Sequence, residues 1–496
     1  MPLETLPPIP DILTVRLASR SGAKAFQQQV EFSCGEIPGD MLSWLDGDWF
    51  YLSEGTEDLL TARLRAGGRT VADACRAAGA LEAIRIPFAE LAFRKNQVGG
   101  SKADLRDSGV TGVAMPGIVG TTVESDGRTV ALDWQLTIAG IHRAWQLFAM
   151  PADPAADMPW AGIRVGHIDT GCTRHPALGF VGGKSRHVLA ELGKNFFRDV
   201  QVVDPNGLPG AIPPEEAGPF DNLGGAFGGH GTRTLSTLTG FYDVNGDDIP
   251  PFYGAAPGAT VIPYRVTNSI IIDHVQRQIA DAIDHAIGQG CRVVTMSLGG
   301  IVPWSRLADA IDRAYEKGVI VCAAAGNVIR EVTYPGRYNR TVTLGGAGPD
   351  GPGNFRPWKD SSRGQFVDVC GPADGIRRAS IEMRQGQPVP FIAAGGNGTS
   401  FATAMCAGIA VLWLARRGGE LKAAYDQPWM WPAAFKKLIK QTAIQPADLD
   451  TAKPAWDRPN YGAGLYQADK LLQAPLPPAA SLHMEAKAGA PFDGAA

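Results

Sequence analysis

The stretch GGNGTSFATAMCAGIAVLWLA, residues 395–415, joins a run of glycines and small polar residues directly to an apolar helical pattern. Ser400 stands at the junction. Thr399 and Ser400 fit helix capping, because their side-chain oxygens can accept hydrogen bonds from the first free N–H groups of a helix. Ser400 equally fits a nucleophile, because free N–H groups and the positive end of the helix dipole stabilise negative charge beside it. A decision needs a base, an orienting acid and a second oxyanion donor elsewhere in the chain.

Composition narrows the class of protein. The chain has 496 residues, 45% of them hydrophobic, which suffices for a large core and favours two or more domains. A formal charge of −4 and a pI near 6.1 leave no overall basic field, so we expect no nucleic-acid partner. The seven cysteines are scattered and odd in number, which favours reduced, packed thiols. The sequence contains no CxxC or HExxH metal motif.

The first twenty residues and the apolar runs bear on the cell compartment. The segment MPLETLPPIPDILTVRLASR has acidic residues and prolines where a secretory signal has positive charge and an unbroken apolar core. The longest apolar helical run, 401–415, is shorter than the ~20 residues that cross a bilayer. We therefore expect no membrane contact and a cytoplasmic location by default, with leaderless export or delivery as an effector as alternatives.

Short β-branched runs alternate with longer helical patterns from about residue 150. The runs at 162–169, 260–266, 292–298, 319–326 and 341–347 predict strands, and 273–289 and 305–317 predict helices. This alternation predicts an α/β fold in which a parallel sheet has helices on both faces. Functional groups of such sheets collect beyond the carboxyl ends of the strands. Asp169 and Asn327 lie at such positions.

Composition also divides the chain into three parts. Residues 1–130 have helical patterns near 57–85 and a Gly-rich, connector-like passage at 98–122, so they predict a separate α+β or mostly helical domain. Residues 131–472 form the predicted α/β domain. Residues 473–496 are rich in Ala and Pro and predict a flexible tail.

Two residues are candidates for the base and the acid. His230 lies in GGAFGGHGTRTLSTLTG, where a helical pattern starts just after the histidine. A single histidine is more often packed or solvated than catalytic. Asp169 follows a buried-looking strand, where a carboxylate must be paired or hydrogen-bonded. It fits either a turn residue that caps its loop or the acid that orients an imidazole.

Asn327 is the candidate for the second oxyanion donor. It ends the run CAAAGN, residues 322–327, and fits either a turn residue or an amide that donates to an oxyanion together with the N–H of Ser400. The candidates follow the order Asp, His, Asn, Ser along the chain. This is the order of the subtilisin-type triad, and the GxSxG motif of α/β-hydrolases is missing from the sequence.

These motifs together resemble those of the subtilisin-like (subtilase, S8) serine peptidases. The matching stretches, in order, are VGHIDTG, HGT, MSLGG, AAAGN and GTSFA. Flanking similarity begins at ALDWQLTIAGIHRAW (131–145) and continues through YGAAPGATVIPYRV (253–266) and SSRGQFVDVCGP (361–372), so the resemblance covers about 131–466. It implies a subtilisin-like parallel sheet flanked by helices.

The resemblance also implies a function and its residues. A serine endopeptidase of this kind would use Asp169 as orienting acid, His230 as general base and then acid, Ser400 as nucleophile and Asn327 as oxyanion donor. No cofactor is required for this chemistry. A polypeptide substrate would bind in extended form along Ser297, Leu298, Gly299 and Gly300. Ala324, Ala325 and Gly326 would form one wall of the pocket for P1, the residue before the scissile bond, and these small walls predict an apolar or broad P1 preference.

The chain departs from the family pattern at several positions. GTSFATAMCAG stands where the family usually has GTSMATPHVAG, and His167 interrupts the apolar strand before Asp169. We expect His167 to be packed and hydrogen-bonded rather than catalytic. Cys172 and Cys406 lie near the motifs without an evident activating partner, so we expect inert thiols.

Many subtilases carry structural calcium, and one segment is a weak candidate for such a site. Asp243, Asn245 and Asp247 in YDVNGDD have oxygen-ligand spacing. The twelfth loop position is Gly254, where an EF-hand needs a glutamate. A plain acidic turn is therefore the favoured interpretation, and calcium is the alternative.

Other functions remain open at this point. A pseudoprotease or peptide-binding module on the same fold would not require all four catalytic-type residues. An enzyme that acts on esters or transfers acyl groups would use the same chemistry on another substrate. Residues 1–130 resemble a removable inhibitory prosegment in their place in the chain, but their length favours a retained regulatory or targeting domain. We expect an inhibitory or regulatory contact from this domain.

Overall fold

A computed structural model describes most of the chain between residues 12 and 490. The described residues are 12–18, 25–26, 28–29, 42–46, 49–52, 70–86, 122–125, 128–131, 133–149, 157–197, 218–223, 227–242, 252–273, 275–327, 330–351, 353–384, 387–446 and 456–490. The chain divides into two compact units, residues 1–102 with 301–304 and residues 103–300 with 305–496.

The first unit contains a four-stranded antiparallel sheet. Its strands are β1 (Ile12–Arg16), β2 (Leu42–Asp46), β3 (Trp49–Leu52) and β4 (Glu82–Ile86), in the order β2-β3-β1-β4. Helix α1 (Val71–Ala77) precedes β4, and Thr70 caps it by accepting a hydrogen bond from the N–H of Asp73. The unit is α+β, one of the two expected classes. The helical pattern expected over 57–85 is wrong at its end, because β4 pairs with β1 along its whole length.

The second unit contains the elements that build the α/β fold. Its strands are β5 (Thr122–Ser125), β6 (Arg128–Ala131), β7 (Val165–Asp169), β8 (Phe180–Val181), β9 (Lys184–Ser185), β10 (Lys194–Asn195), β11 (Phe241–Tyr242), β12 (Phe252–Tyr253), β13 (Val261–Arg265), β14 (Val293–Met296), β15 (Ile320–Ala324), β16 (Val342–Pro349), β17 (Phe355–Pro357), β18 (Val369–Pro372), β19 (Ile376–Arg384) and β20 (Gln387–Gly396). Its helices are α2 (Trp134–Ile138), α3 (Ile141–Trp145), α4 (His230–Thr239), α5 (Gln276–Gly288), α6 (Ser305–Glu316), α7 (Thr399–Ala424), α8 (Met430–Thr442), α9 (Arg458–Tyr461) and α10 (Ala468–Gln473).

An eight-stranded sheet forms the centre of this unit. Its order is β10-β13-β7-β14-β15-β16-β17, with β18 also paired to β16. Every pair is parallel except β16 with β17. Strands β7, β14 and β15 are buried along their whole length, as expected for parallel strands covered by helices. The predicted α/β fold is confirmed, and the five predicted strands and two predicted helices are present with their ends displaced by at most three residues.

Helix α7 lies in the core. Every residue from Thr399 to Leu414 is buried, and Trp413 packs edge-on against Phe435 of α8 at 5.3 Å between ring centroids. The helix is long and apolar enough to cross a membrane, yet 89% of its most apolar 18-residue window is buried within the protein. This agrees with the buried helix expected at 401–415.

The hairpin of β5 and β6 belongs to the second unit, although composition assigned nearly all of its residues to the N-terminal domain. The two strands pair in antiparallel register from Thr122 with Ala131 to Ser125 with Arg128, and β5 lies against β20. The second unit begins at residue 103, whereas composition suggested a boundary at 130. Composition could not reveal this, because the partner of β5 lies more than 250 residues further along the chain.

The expectation of a flexible tail over 473–496 is wrong for the part of it that the structure describes. Leu482 and Ala488 are 7% and 2% exposed, and Leu482 belongs to the main core cluster. Lys436 of α8 donates to the carboxylate of Glu485 at 3.0 Å, and the N–H of Ala488 donates to Asp312 of α6 at 2.8 Å. A few well-placed contacts therefore dock a segment whose composition is typical of disorder.

Leu482→Ala tests whether this docking contributes to the stability of the unit. Truncating a buried leucine removes apolar contact and leaves a cavity, so the free energy of unfolding should fall by about 2–3 kcal/mol. Met484, which is 48% exposed, is the matched control, and Met484→Ala should change it by less than about 0.5 kcal/mol. Denaturant unfolding of both variants gives the comparison, and equal small effects would contradict a docked segment.

Candidate active site

Asp169 ends β7 with a fully buried carboxylate. Its Oδ1 accepts hydrogen bonds of 2.7 Å from the N–H of Thr170 and from Nδ1 of His230, and its Oδ2 accepts one of 3.2 Å from Oγ1 of Thr234. Burial alone would raise the pKa of this carboxyl, but the charge and hydrogen bond of His230, with smaller effects of His167 and Thr170, hold it below its ordinary value. Asp169 is therefore an ionised acceptor.

His230 is the first residue of α4 and lies between Asp169 and Ser400. Because a carboxylate can only accept, Nδ1 carries a proton, and in the neutral imidazole Nε2 presents a lone pair. Nε2 lies 3.3 Å from Oγ of Ser400. Gly231 permits this close packing of α4, since a Cβ at residue 231 would lie 1.8 Å from the carbonyl oxygen of Gly171.

The Ser400 hydroxyl has two acceptors at the same distance. It lies 3.3 Å from Nε2 of His230 and 3.3 Å from the carbonyl oxygen of Ser297. The hydroxyl of Ser297 in turn donates to the carbonyl oxygen of Ser400 at 2.9 Å, which ties the end of β14 to the start of α7. A single hydroxyl proton cannot serve both acceptors fully, so a further donor to the Ser297 carbonyl oxygen would weaken its competition with His230 for that proton.

Asn327 is oriented by Thr399, the first residue of α7. Its Oδ1 accepts hydrogen bonds from the N–H and from Oγ1 of Thr399, at 2.9 and 2.8 Å. Its amide nitrogen therefore faces away from Thr399 and remains a donor. The N–H of Ser400 is one of the first four of the helix, which have no partner within it. Capping by Thr399 or Ser400 is not observed, because the N-cap is Gly398 and has no side chain.

Asp221 and Thr170 form a bracket that the sequence did not reveal. Thr170 Oγ1 donates to Asp221 at 2.6 Å and accepts from the N–H of Gly231 at 3.0 Å, while the N–H of Gly229 donates to Asp221 at 2.8 Å. Burial raises the pKa of Asp221, and hydrogen bonds from Thr170, Leu223 and Gly229 and the charge of Arg265 only partly oppose that rise. The bracket fixes the start of α4 against the end of β7, which sets the position of His230.

The family of the chain follows from its similarity to known proteins. The model of the subtilase family matches residues 161–464, more than half of the chain. The chain belongs to the subtilase family. Asp169, His230, Asn327 and Ser400 all lie within the matched residues.

Individual relatives of this subtilase are distant. M-protease of Shouchella clausii is 27% identical over 263 residues, which are 53% of this chain and 56% of the relative. The major intracellular serine protease of Bacillus subtilis is 29% identical over 190 residues, 37% of this chain and 50% of the relative. The chain thus spans about half the length of these curated relatives. The solved structure of fervidolysin from Fervidobacterium pennivorans, a keratinolytic enzyme related to subtilisin, has a TM-score of 0.49 at 19% identity, over 94% of this chain and 61% of that chain.

The expected substrate-binding edge of this subtilase is partly occupied by the protein itself. The N–H of Gly299 donates to the carbonyl oxygen of Ile270, and its own carbonyl accepts from Ile272. Gly300 exchanges two hydrogen bonds of 2.8 Å with Tyr334. Neighbouring segments therefore satisfy the main-chain groups of Gly299 and Gly300 in this structure, and their role in binding a substrate stays a prediction. Ser297 and Leu298 remain as the edge next to Ser400.

Thr333 stands between the segment expected to bind the substrate main chain, which includes Gly299, and the segment expected to form one wall of the P1 pocket, which includes Gly326. A Cβ at Gly299 would lie 2.4 Å from Oγ1 of Thr333, and one at Gly326 would lie 3.0 Å from it. Thr333 is 6% exposed and donates to the carbonyl oxygen of Ala325 at 3.2 Å. Ala324 and Ala325 are buried and Gly326 is half-buried. The space between the walls is therefore filled to a large extent by one threonine, which no local pattern predicted.

The remaining candidate groups near the site are buried and unreactive. His167 is 1% exposed, lies 2.9 Å from Thr234 through Nε2, and has its pKa lowered to about 4 by burial. It is packed and hydrogen-bonded, as expected. Burial raises the pKa of Cys172 to about 12 and that of Cys406 well above its usual range, so neither thiol forms the reactive thiolate at neutral pH.

The calcium candidates Asp243, Asn245 and Asp247 lie outside the described residues. Among the residues that are described, no group of three or more His, Cys, Asp or Glu side chains could hold a metal ion. Structural calcium remains an alternative carried by the sequence alone.

Proposed function

We propose that this subtilase is a serine endopeptidase that cleaves peptide bonds through an acyl-enzyme. The observation that carries the proposal is the position of His230, whose ring nitrogens lie 2.7 Å from Asp169 and 3.3 Å from Ser400. His230 takes the hydroxyl proton as Ser400 Oγ attacks the scissile carbonyl carbon, and Asp169 stabilises the resulting imidazolium. His230 then gives the proton to the leaving amine, and water releases the acyl group by the same steps in reverse order.

Substrate binding itself prepares the nucleophile in this mechanism. An extended peptide alongside Ser297 and Leu298 can donate a main-chain N–H to the carbonyl oxygen of Ser297. That acceptor then competes less for the Ser400 hydroxyl, which favours its hydrogen bond to Nε2 of His230. The partner of the protein is accordingly a polypeptide bound in extended form.

The negative oxygen of the tetrahedral intermediate would be held by two donors. One is the amide nitrogen of Asn327, which Thr399 orients through Oδ1, and the other is the N–H of Ser400. Both donors are fixed before the reaction, so little reorganisation is needed when the charge develops. The start of α7 adds the positive end of its dipole.

Ser400→Ala tests the proposed activity directly. Removing Oγ should lower kcat for peptide hydrolysis by a factor on the order of 10⁶, because no acyl-enzyme can form. Ser305, which is exposed at the start of α6, is the matched control, and Ser305→Ala should hydrolyse peptide at the wild-type rate. Both variants should unfold at the wild-type temperature. Substantial hydrolysis by purified Ser400→Ala would contradict the assignment.

We further propose a preference for small P1 residues, which narrows the apolar or broad preference expected from the sequence. The proposal rests on Thr333, whose side chain stands between Gly299 and Gly326 and leaves little depth for a large side chain. Its Oγ1 is already hydrogen-bonded to the carbonyl oxygen of Ala325, so the threonine is held in place.

Thr333→Ala should therefore shift the P1 preference toward larger residues. The ratio of kcat/KM for Phe over Ala at P1 should rise about 10-fold or more, because two heavy atoms leave the pocket. Thr333→Val keeps the size of the side chain and is the matched control, for which the ratio should stay close to that of the wild type. Equal ratios in all three proteins would show that Thr333 does not limit the pocket.

A further inference from the structure

A polar pair lies behind the carboxylate of Asp169. His167 precedes Asp169 by two residues in β7, so both side chains point to the same face of the sheet. Nε2 of His167 lies 2.9 Å from Oγ1 of Thr234, and that hydroxyl lies 3.2 Å from Oδ2 of Asp169. Thr234 is one helical turn after His230 in α4 and is fully buried.

The direction of the protons follows from the chemistry of the groups. The Thr234 hydroxyl also lies 3.2 Å from the carbonyl oxygen of Gly231 and 3.3 Å from that of His230. Asp169 is the charged acceptor among the three, and hydrogen bonds to ionised groups are roughly twice as strong as neutral ones. The hydroxyl therefore donates to Asp169, and its oxygen accepts from Nε2–H of a neutral His167.

Two titratable side chains face His167 among the described residues. The titratable groups that face it are Asp169 on its own strand, 3.9 Å from Nε2, and His230 on α4. Its in-register neighbours are Pro263 on β13 and Thr295 on β14, and neither titrates. Nδ1 of His167 and Oγ1 of Thr295 are buried without a hydrogen-bond partner among the described residues.

The contacts between His167, Thr234 and Asp169 are polar, although they lie in the buried layer between β7 and α4 where apolar side chains could pack. Burying an imidazole and a hydroxyl costs free energy, and the unpartnered Nδ1 adds to that cost. The Thr234 hydroxyl, to which His167 is hydrogen-bonded, reaches the one oxygen of Asp169 that neither His230 nor Thr170 contacts. The carboxylate is thereby held at both oxygens.

We propose that His167 and Thr234 are positioning residues, which fix Oδ2 of Asp169 and through it the orientation and charge balance of His230. The inference rests on the proposed peptidase mechanism. The Thr234 hydroxyl withdraws part of the negative charge of Asp169 from His230. Without that hydroxyl, Asp169 stabilises the imidazolium more strongly, and His230 holds its proton to a higher pH.

Thr234→Val removes the hydroxyl with little change of shape. The acidic limb of the kcat/KM–pH profile should move to higher pH by roughly half a unit, since part of a charged hydrogen bond is lost. In the looser triad kcat should fall about 10-fold, with KM nearly constant. Thr234→Ser keeps a hydroxyl, so its acidic limb and its kcat should both stay close to those of the wild type. His167→Gln, which changes only the partner of the hydroxyl, should give a smaller shift in the same direction.

Thr237→Val is the matched control for loss of a buried hydroxyl in α4. Thr237 Oγ1 donates to the carbonyl oxygen of Thr234 at 2.8 Å and has no hydrogen bond to the triad in the structure as described. This variant should lower thermal stability about as much as Thr234→Val, without moving the acidic limb. If Thr234→Val and Thr237→Val have the same pH profile and kcat, the pair only packs and the proposal is overturned.

A measurement that needs no activity separates this proposal from the proposed function. In a Ser400→Ala background, the histidine NMR signals of His230 should titrate at higher pH when Thr234→Val is added. The shift should appear even if the protein cleaves no peptide. An unchanged titration in an otherwise active enzyme would refute the positioning role alone.

Discussion

The buried carboxylate of Asp169 is the constraint on which the site depends. An ionised group without exposure must receive hydrogen bonds from every side, and here they come from three directions: Thr170 in the next peptide, and His230 and Thr234 on α4. Meeting this demand places the start of α4 against the end of β7. The Asp221–Thr170 bracket joins the same two elements, because it accepts hydrogen bonds from the main-chain N–H groups of Gly229 and Gly231. The orientation of His230 therefore follows from the hydrogen bonds that the buried carboxylates require.

The second constraint is the burial of α7. Its apolar length packs in the core and fixes the helix axis, and its first residues are then tied by Ser297 to β14 and by Asn327 to the segment after β15. The free energy gained by burying the apolar side chains of α7 thus holds Ser400 at the carboxyl edge of the sheet. Parallel strands make this possible, because their carboxyl ends meet at one edge although they are far apart in the sequence.

The sequence predicted those strands and helices whose own residues determine their secondary structure. The strand ending at Asp169, the strands of MSLGG and AAAGN and the helix after GTSFA are each a run of apolar residues whose length and residue types indicate the element. The fold class followed from them, and the roles of the four candidate site residues followed from the resemblance of their motifs to those of subtilases. Asp221, Thr234 and Thr333 were missed, because each matters through a partner distant along the chain or on another element. The docking of Leu482 was missed for a related reason: a few buried contacts outweigh a composition typical of disorder.

A fluorophosphonate probe tests the central claim that Asp169, His230 and Ser400 act as one unit. The probe would be added to the wild-type protein and to His230→Ala, with the rate of adduct formation and its position measured by mass spectrometry of peptides. The account predicts a single adduct on Ser400, formed at least about 10³-fold more slowly in His230→Ala, since the hydroxyl then lacks its base. An adduct on another residue, or equal rates in both proteins, would contradict it.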